Sequence, residues 1–199
     1  MPDASDKIES IDIKGQNIKL IGDPNVLERQ LTGILCSQKC PGELILKAFD
    51  TVKQIREDKM TVISGFHSPI EKEAFRILLR GKQPTVLCLA RNLESYHIPS
   101  PFKTSISNGK LVIISPLFSE NENRITKETA EIRNRLIFQI CDQVLLIHAQ
   151  PGGNIERICA QYLSENHTIF AIPSEKNSHL FEKGVNEWPY GNTDKFAEM

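Results

Sequence analysis

The sequence predicts an α/β fold, a Rossmann-like three-layer sandwich with a mostly parallel central sheet, on three observations. Short β-rich runs alternate with helical patterns at intervals of roughly thirty residues, the spacing of repeated strand–helix units. Several of these runs, such as Val86-Leu87-Cys88-Leu89 and Val144-Leu145-Leu146-Ile147, are apolar throughout, which suits strands covered by helices on both faces. The segments between them space their apolar residues three and four apart, as helices with one buried stripe do.

Taken in chain order, strands are expected at Ile18 to Ile21, Thr32 to Cys36, Met60 to Ser64, Thr85 to Ala90, Leu111 to Ser115, Val144 to Ile147 and Thr168 to Ile172. Helices fit between them. Gly42 to Arg56 carries Leu44, Ile45, Ala48, Phe49, Val52 and Ile55 on one stripe, and Ile70 to Leu79, Thr126 to Ile140 and Ile155 to Ser164 follow the same spacing. This places one domain at residues 18–173, an N-terminal tail at 1–17 and a polar C-terminal tail at 174–199.

Composition agrees with that frame. A chain of 199 residues, 40% of them hydrophobic, supports one well-buried core. The formal net charge of -1 argues against a broadly electropositive surface and leaves room only for a local basic cleft. No apolar run has the length of a membrane span, and the N-terminus, Met1-Pro2-Asp3-Ala4-Ser5-Asp6, lacks the basic and apolar regions of a signal peptide, so a cytoplasmic protein with no membrane partner is expected. Cys88, Cys141 and Cys159 sit in apolar patterns, where thiols act as small core residues. Cys36 and Cys40 flank Ser37-Gln38-Lys39, but no second Cys/His pair completes a zinc site, and no metal is expected.

In an open parallel sheet, ligands bind beyond the carboxyl ends of the strands, so the loops there hold the candidate site. The most informative is the segment around the sixth expected strand. Glu131-Ile132-Arg133-Asn134-Arg135 on a helix precedes it, and Gln150-Pro151-Gly152-Gly153-Asn154 opens from it into the next helix. Bare backbone amides at a helix N-terminus, with an arginine fork nearby, form an anion-binding layout. The other polar loops at this rim are Ser37-Gln38-Lys39-Cys40-Pro41-Gly42, Ser64-Gly65-Phe66-His67-Ser68-Pro69-Ile70-Glu71 and Ala90-Arg91-Asn92.

The pieces also stand in a recognisable order. Thr61-Val62-Ile63-Ser64-Gly65, Pro84-Thr85-Val86-Leu87-Cys88-Leu89 with Tyr96-His97-Ile98-Pro99, Gly109-Lys110-Leu111-Val112-Ile113-Ile114-Ser115-Pro116, Arg133-Asn134-Arg135-Leu136-Ile137 and Ile169-Phe170-Ala171-Ile172-Pro173 together resemble the DNA-processing protein A (DprA, or Smf) family. The resemblance runs from about Ile18 to Val185. It implies a Rossmann-like domain of the wider group that includes the lysine-decarboxylase-like phosphoribohydrolases. It further implies single-stranded DNA bound at the rim, a homodimer, help in loading a RecA-type recombinase during natural transformation, and no cofactor.

Departures from the family pattern bear on the ligand. Where the family has Gly-Ser-Arg, this chain has Cys36-Ser37-Gln38, and Lys39 supplies charge without the bidentate fork. Where the family has Ser-Gly-Leu-Ala-Arg-Gly-Ile-Asp, the chain has Ser64-Gly65-Phe66-His67-Ser68-Pro69-Ile70-Glu71, which loses a second arginine and keeps the acid. Pro151-Gly152-Gly153 looks more like the phosphoribohydrolase loop, but Ile155 and Glu156 replace its Gly-Thr and the catalytic glutamate position falls near Cys159.

The expected ligand-binding set is therefore Ser37, Lys39, Ser64, Gly65, His67, Glu71, Arg91, Arg133, Asn134, Gly152, Gly153 and Asn154, with no catalytic residue assigned. Arg133 and Arg135 lie two apart on a helix and cannot line one pocket; Arg133 is the ligand residue, and Arg135 is free to pair with Glu131 or Glu128. Glu71 has a helix-capping role as its alternative, and His148 is expected to pack or cap. The leading reading is a protein that binds single-stranded DNA. The alternatives are a stand-alone sensor of a nucleotide ligand and, disfavoured by the incomplete loop, a nucleoside monophosphate phosphoribohydrolase.

Overall fold

A computed structural model describes residues 7–189. Nine strands form one sheet, in the order β1-β2-β6-β5-β4-β3-β7-β8-β9. They are β1 (Glu9–Ile13), β2 (Gln16–Ile21), β3 (Leu31–Cys36), β4 (Thr61–Ser64), β5 (Thr85–Cys88), β6 (Leu111–Pro116), β7 (Gln143–His148), β8 (Thr168–Ala171) and β9 (Asn186–Glu187). All neighbours from β6 to β9 pair in parallel; β2 runs antiparallel to β6, and β1 to β2. The helices are α1 (Gly42–Glu57), α2 (Pro69–Leu78), α3 (Ser100–Ser107), α4 (Lys127–Ile140), α5 (Asn154–Ser164) and the short α6 (Ser178–Phe181).

Strand alternation splits the core in two. Ile34, Val62, Leu87, Ile113, Leu145 and Ile147 face α1 and α2, which answer with Leu44, Ala48, Val52, Ile55, Ile70, Ala74 and Phe75. Leu35, Ile63, Val86, Val112, Ile114, Val144 and Leu146 face α4 and α5 through Leu136, Ile137, Phe138, Ile140, Ile158 and Tyr162. The period of two in the strands and the three-to-four spacing in the helices together produce the three layers. Gly33 sets how closely α4 approaches, since a β-carbon there would lie 2.8 Å from Cγ2 of Ile137.

The strand order reverses at β3. From β3 the chain proceeds through β4 and β5 to β6 on one side, then returns to place β7 on the other side of β3. Such a reversal opens a crevice beyond the carboxyl ends of the two flanking strands, and here those are β3 and β7.

Ordered structure extends beyond residues 18–173 at both ends, into stretches expected as tails. Residues 9–13 pair with β2 as an edge hairpin, turning through Lys14 and Gly15 with φ of 51° and 77°, the backbone of a tight primed turn. Ile11 and Ile13 pack against the α4 layer. At the other end, β9 adds to β8, and Trp188 is buried edge-on against Phe170. The short α6 also lies in the expected C-terminal tail, and Leu180 and Val185 join the α4 layer of the core; residues 1–6 and 190–199 lie outside the described residues.

Candidate functional site

The crevice between β3 and β7 is a cavity of about 560 Å³, walled by the loops after β3, β4 and β7 and by the first half of α4. Of the expected residues it gathers Ser37, His67, Glu71, Arg133, Asn134, Gly152, Gly153 and Asn154.

Arg133 is the central group. A reciprocal cap between Thr126 and Thr129 starts α4, and the close seat on Gly33 orients it, so that Arg133 and Asn134 turn inward while Arg135 turns away. Arg133 is only 6% exposed, and its Nε donates to Oδ1 of Asn134 at 2.8 Å. Among the described residues, no acceptor meets its two terminal nitrogens. A guanidinium at this depth with no carboxylate partner leaves its terminal nitrogens open to an anion in the cavity. Gly65 makes room for it: a β-carbon there would sit 1.5 Å from Nη1. Gly65→Ala is therefore expected to expel the guanidinium and abolish ligand binding while leaving the far-ultraviolet circular dichroism of the fold intact.

The opposing face of α4 is closed to ligand. Arg135 pairs with Glu131, which also receives Arg157 and, at 3.1 Å, Nδ2 of Asn154. These bonds hold the Pro151-Gly152-Gly153 loop and the start of α5 against α4. Oδ1 of Asn154 is buried with no partner among the described residues.

Glu71 belongs to the wall. Its Oε1 accepts the Cys36 amide at 2.9 Å, and its Oε2 accepts the amides of His67 and Ser68, each at 2.9 Å. The Glu71 amide in turn donates to the Ser68 hydroxyl at 3.2 Å, completing a capping box in which Glu71 is 2% exposed. Its carboxylate lines the cavity with both oxygens already engaged by backbone, so the structure favours the capping role over ligand contact.

Ser37 stitches the two flanking loops together. Its amide donates to the His148 carbonyl at 2.9 Å, and its Oγ accepts the Gln150 amide at 2.8 Å. His148 itself is buried, its Nδ1 bonded to Asn177 at 2.9 Å, a packing role.

The glycine loop is narrower in its offer than the sequence suggests. Gly152 needs its positive φ of 71°, and a β-carbon on Gly153 would lie 2.8 Å from the Gln150 carbonyl oxygen. The Gly152 amide, however, already donates to Oε2 of Glu156 at 2.6 Å. Burial pushes the Glu156 carboxyl up, but Lys183, the Gly152 amide and nearby His179 outweigh it and hold the group below the usual carboxylate range. The first-turn amides of α5, which has no side-chain cap, thus stay open as donors, whereas the Gly152 amide does not.

His67 sits beside Arg133. Burial first, and the guanidinium charge second, push its imidazole below the ordinary value of 6.5. Ser64 is fully buried and accepts the Phe66 amide at 3.2 Å, shaping the turn behind the cavity. Lys39 is exposed and does not line the cavity. Arg91 also stands apart: its Nη2 reaches the Ser95 carbonyl at 3.3 Å, and its guanidinium lies 6.0 Å from the Tyr96 ring. The cavity in turn includes Gln38, Lys127, Ala130, Gln150, Pro151 and Ile155, none of them in the expected set. Lys127 was legible, since Lys127, Ala130 and Arg133 are spaced by three along one helix face.

A larger cavity, about 730 Å³, opens by Gln30 and Asp142 at the amino ends of β3 and β7. Its cations are already engaged, Lys14 with Asp142 and Arg29 with Gln83, so it offers no unpartnered buried group comparable to Arg133.

The family model for DNA recombination-mediator protein A matches residues 5–189. No curated protein matches the chain. Among solved structures, DNA processing protein A from Streptococcus pneumoniae superposes with a TM-score of 0.78 at 19% identity, over 98% of this chain and 76% of that one. DNA processing protein A from Helicobacter pylori, described as having a unique single-stranded DNA binding mode, gives 0.70 at 16% identity over 100% and 91%. A molybdenum cofactor binding protein from Rippkaea orientalis gives 0.54 at 11% identity over 85% and 94%. At these identities the likeness is one of fold.

Proposed function

The chain belongs to the DNA recombination-mediator protein A family, and from that premise we propose that it binds single-stranded DNA in the cavity between β3 and β7, with Arg133 on a backbone phosphate. The observation that carries this reading is the buried, unpaired guanidinium of Arg133 facing the cavity over Gly65. A phosphate oxygen pair matches that fork, and the uncapped amides of α5 add neutral donors beside it. Asn134 and Asn154 contribute polar side chains, Ser37 and Gly153 shape the floor, and Lys127 adds charge at the mouth. Fluorescence anisotropy with a labelled oligothymidylate tests it: binding at micromolar protein that weakens steeply with salt supports the reading, and no binding at low salt overturns it.

The carboxylates fit a binding role better than a hydrolytic one, because Glu71 and Glu156 are both committed to backbone amides. The cavity volume also suits a small ligand, so a free mononucleotide is the second reading. Thermal shift separates the two: mononucleotides that raise the melting temperature where oligonucleotides do not favour the sensor. We read the family's recombination-mediator role as action by a homodimer, with a RecA-type recombinase, in natural transformation and in the cytoplasm; no described helix is long and apolar enough to cross a membrane.

His67 makes binding pH-dependent. Its imidazole is depressed in the free protein, and a bound phosphate favours the charged form, so binding takes up a proton. Affinity is expected to rise as pH falls from neutral, by at most about tenfold per unit, and His67→Ala should flatten the profile. Stability moves the other way: the unfolded state protonates near 6.5 while the folded histidine resists, so stability declines as pH falls through 6.5.

A further inference from the structure

The walls of the β3–β7 cavity are tied to one another in a ring. Ser37 joins the loop after β3 to the loop after β7 through the His148 carbonyl and the Gln150 amide. Glu71 joins the end of β3 to the loop after β4 through the amides of Cys36, His67 and Ser68. That loop seats on α4, where Gly65 leaves room for the Arg133 guanidinium. Glu131 closes the ring by joining α4 to the first turn of α5 through Asn154 and Arg157. Each wall is thus fixed to the next, and Arg133 lines the space they enclose at 6% exposure.

A nucleic-acid strand meets such a well differently at its end and along its length. An internal phosphodiester is joined to a sugar on both sides, so bringing its oxygens to a deep-set fork draws two arms of the strand past walls that cannot part. A terminal phosphomonoester is joined on one side only and enters first. The volume of about 560 Å³ is of the size that small-molecule ligands occupy.

The donors in the well also suit the end of a strand. A terminal phosphate presents three free oxygens and a charge of about −1.5 to −2 near neutral pH, where a diester presents two free oxygens and a single charge. The Arg133 fork can hold two oxygens. Asn134, whose Oδ1 takes the Arg133 Nε, keeps its Nδ2 without an acceptor among the described residues, and the uncapped first turn of α5 adds amides. Lys127 brings a second cation to the lining. Glu71, the one acid in that lining among the described residues, already accepts three backbone amides.

We propose that the cavity prefers the phosphorylated end of a single strand, a terminal phosphomonoester, over the phosphodiesters within the strand. This preference rests on the reading that Arg133 meets phosphate.

Competition against an internally labelled oligothymidylate tests it on the full-length protein. The unlabelled competitors have equal length and are unphosphorylated, 5′-phosphorylated, 3′-phosphorylated or ligated into a circle. At least one phosphorylated end should compete about 10-fold or more better than the unphosphorylated strand, the worth of the added charge-assisted bonds. The end that shows the gain is the one that enters. The circle should compete no better than the unphosphorylated strand. Arg133→Gln should bring all four to one affinity, and Arg135→Gln should preserve the gap. Equal competition by all four in the wild-type protein, with Arg133→Gln weakening each, overturns the end preference and leaves phosphate binding by Arg133 standing. A circle that matches the phosphorylated strands, or a gap that survives Arg133→Gln, also overturns the preference. Failure of the labelled strand to bind at low salt overturns the underlying reading and the preference together.

Discussion

Arg133→Gln is expected to lower affinity for a single-stranded oligonucleotide by about 10- to 100-fold at low salt, the worth of one charge-assisted fork to phosphate. The slope of log affinity against log salt should shrink by about 0.7, as one phosphate contact is lost. Arg133→Lys should restore charge without restoring affinity, because an ammonium cannot bridge two phosphate oxygens from that fixed position. Arg135→Gln serves as the control: its guanidinium is tied to Glu131 on the other face of α4, and affinity should hold. Stability gives an independent signature. Since Arg133 is an interior cation with unpaired terminal nitrogens, its removal should leave the melting temperature unchanged or raise it. Loss of binding with gain of stability marks a residue kept for its ligand.

Glu71→Ala should show the opposite pattern. Three backbone amides, those of Cys36, His67 and Ser68, lose their acceptor at a position 2% exposed. Leaving buried donors unmet costs about 1–3 kcal/mol each, so a loss of about 3–5 kcal/mol is expected, with a drop in melting temperature of roughly 10 °C. Denaturant unfolding followed by tryptophan fluorescence reads it, Trp188 being buried against Phe170. A Glu71→Ala variant with wild-type stability and reduced DNA binding would assign the carboxylate to the ligand instead of the wall.

The parallel core was legible because β3, β5, β6 and β7 are buried on both faces and their apolar runs have little polar interruption. β1 was not, since Glu9-Ser10-Ile11-Asp12-Ile13 is an edge strand whose two isoleucines alternate with polar residues. α3 was missed for a related reason: Ser100-Pro101-Phe102-Lys103-Thr104-Ser105-Ile106-Ser107 buries only Ile106 fully.

At the site, the inward turn of Arg133 and the outward turn of Arg135 follow from helical spacing alone. The engagement of Glu71 does not, because it depends on amides from the ends of two different strands pointing at one carboxylate. Nor does the capture of the Gly152 amide by Glu156, which reaches back one turn of α5 under the pull of Lys183. Sequence shows which groups stand near the rim, whereas their hydrogen bonds decide which remain free for a ligand. By that measure the proposed anion site centres on Arg133 and not on the Gly152 amide.

The most direct test is a crystal structure of the protein with a short oligothymidylate. The account predicts a phosphate in the β3–β7 crevice with its oxygens about 2.7–2.9 Å from the terminal nitrogens of Arg133. An oligonucleotide bound elsewhere on the surface, with Arg133 making no contact to it, would contradict the account.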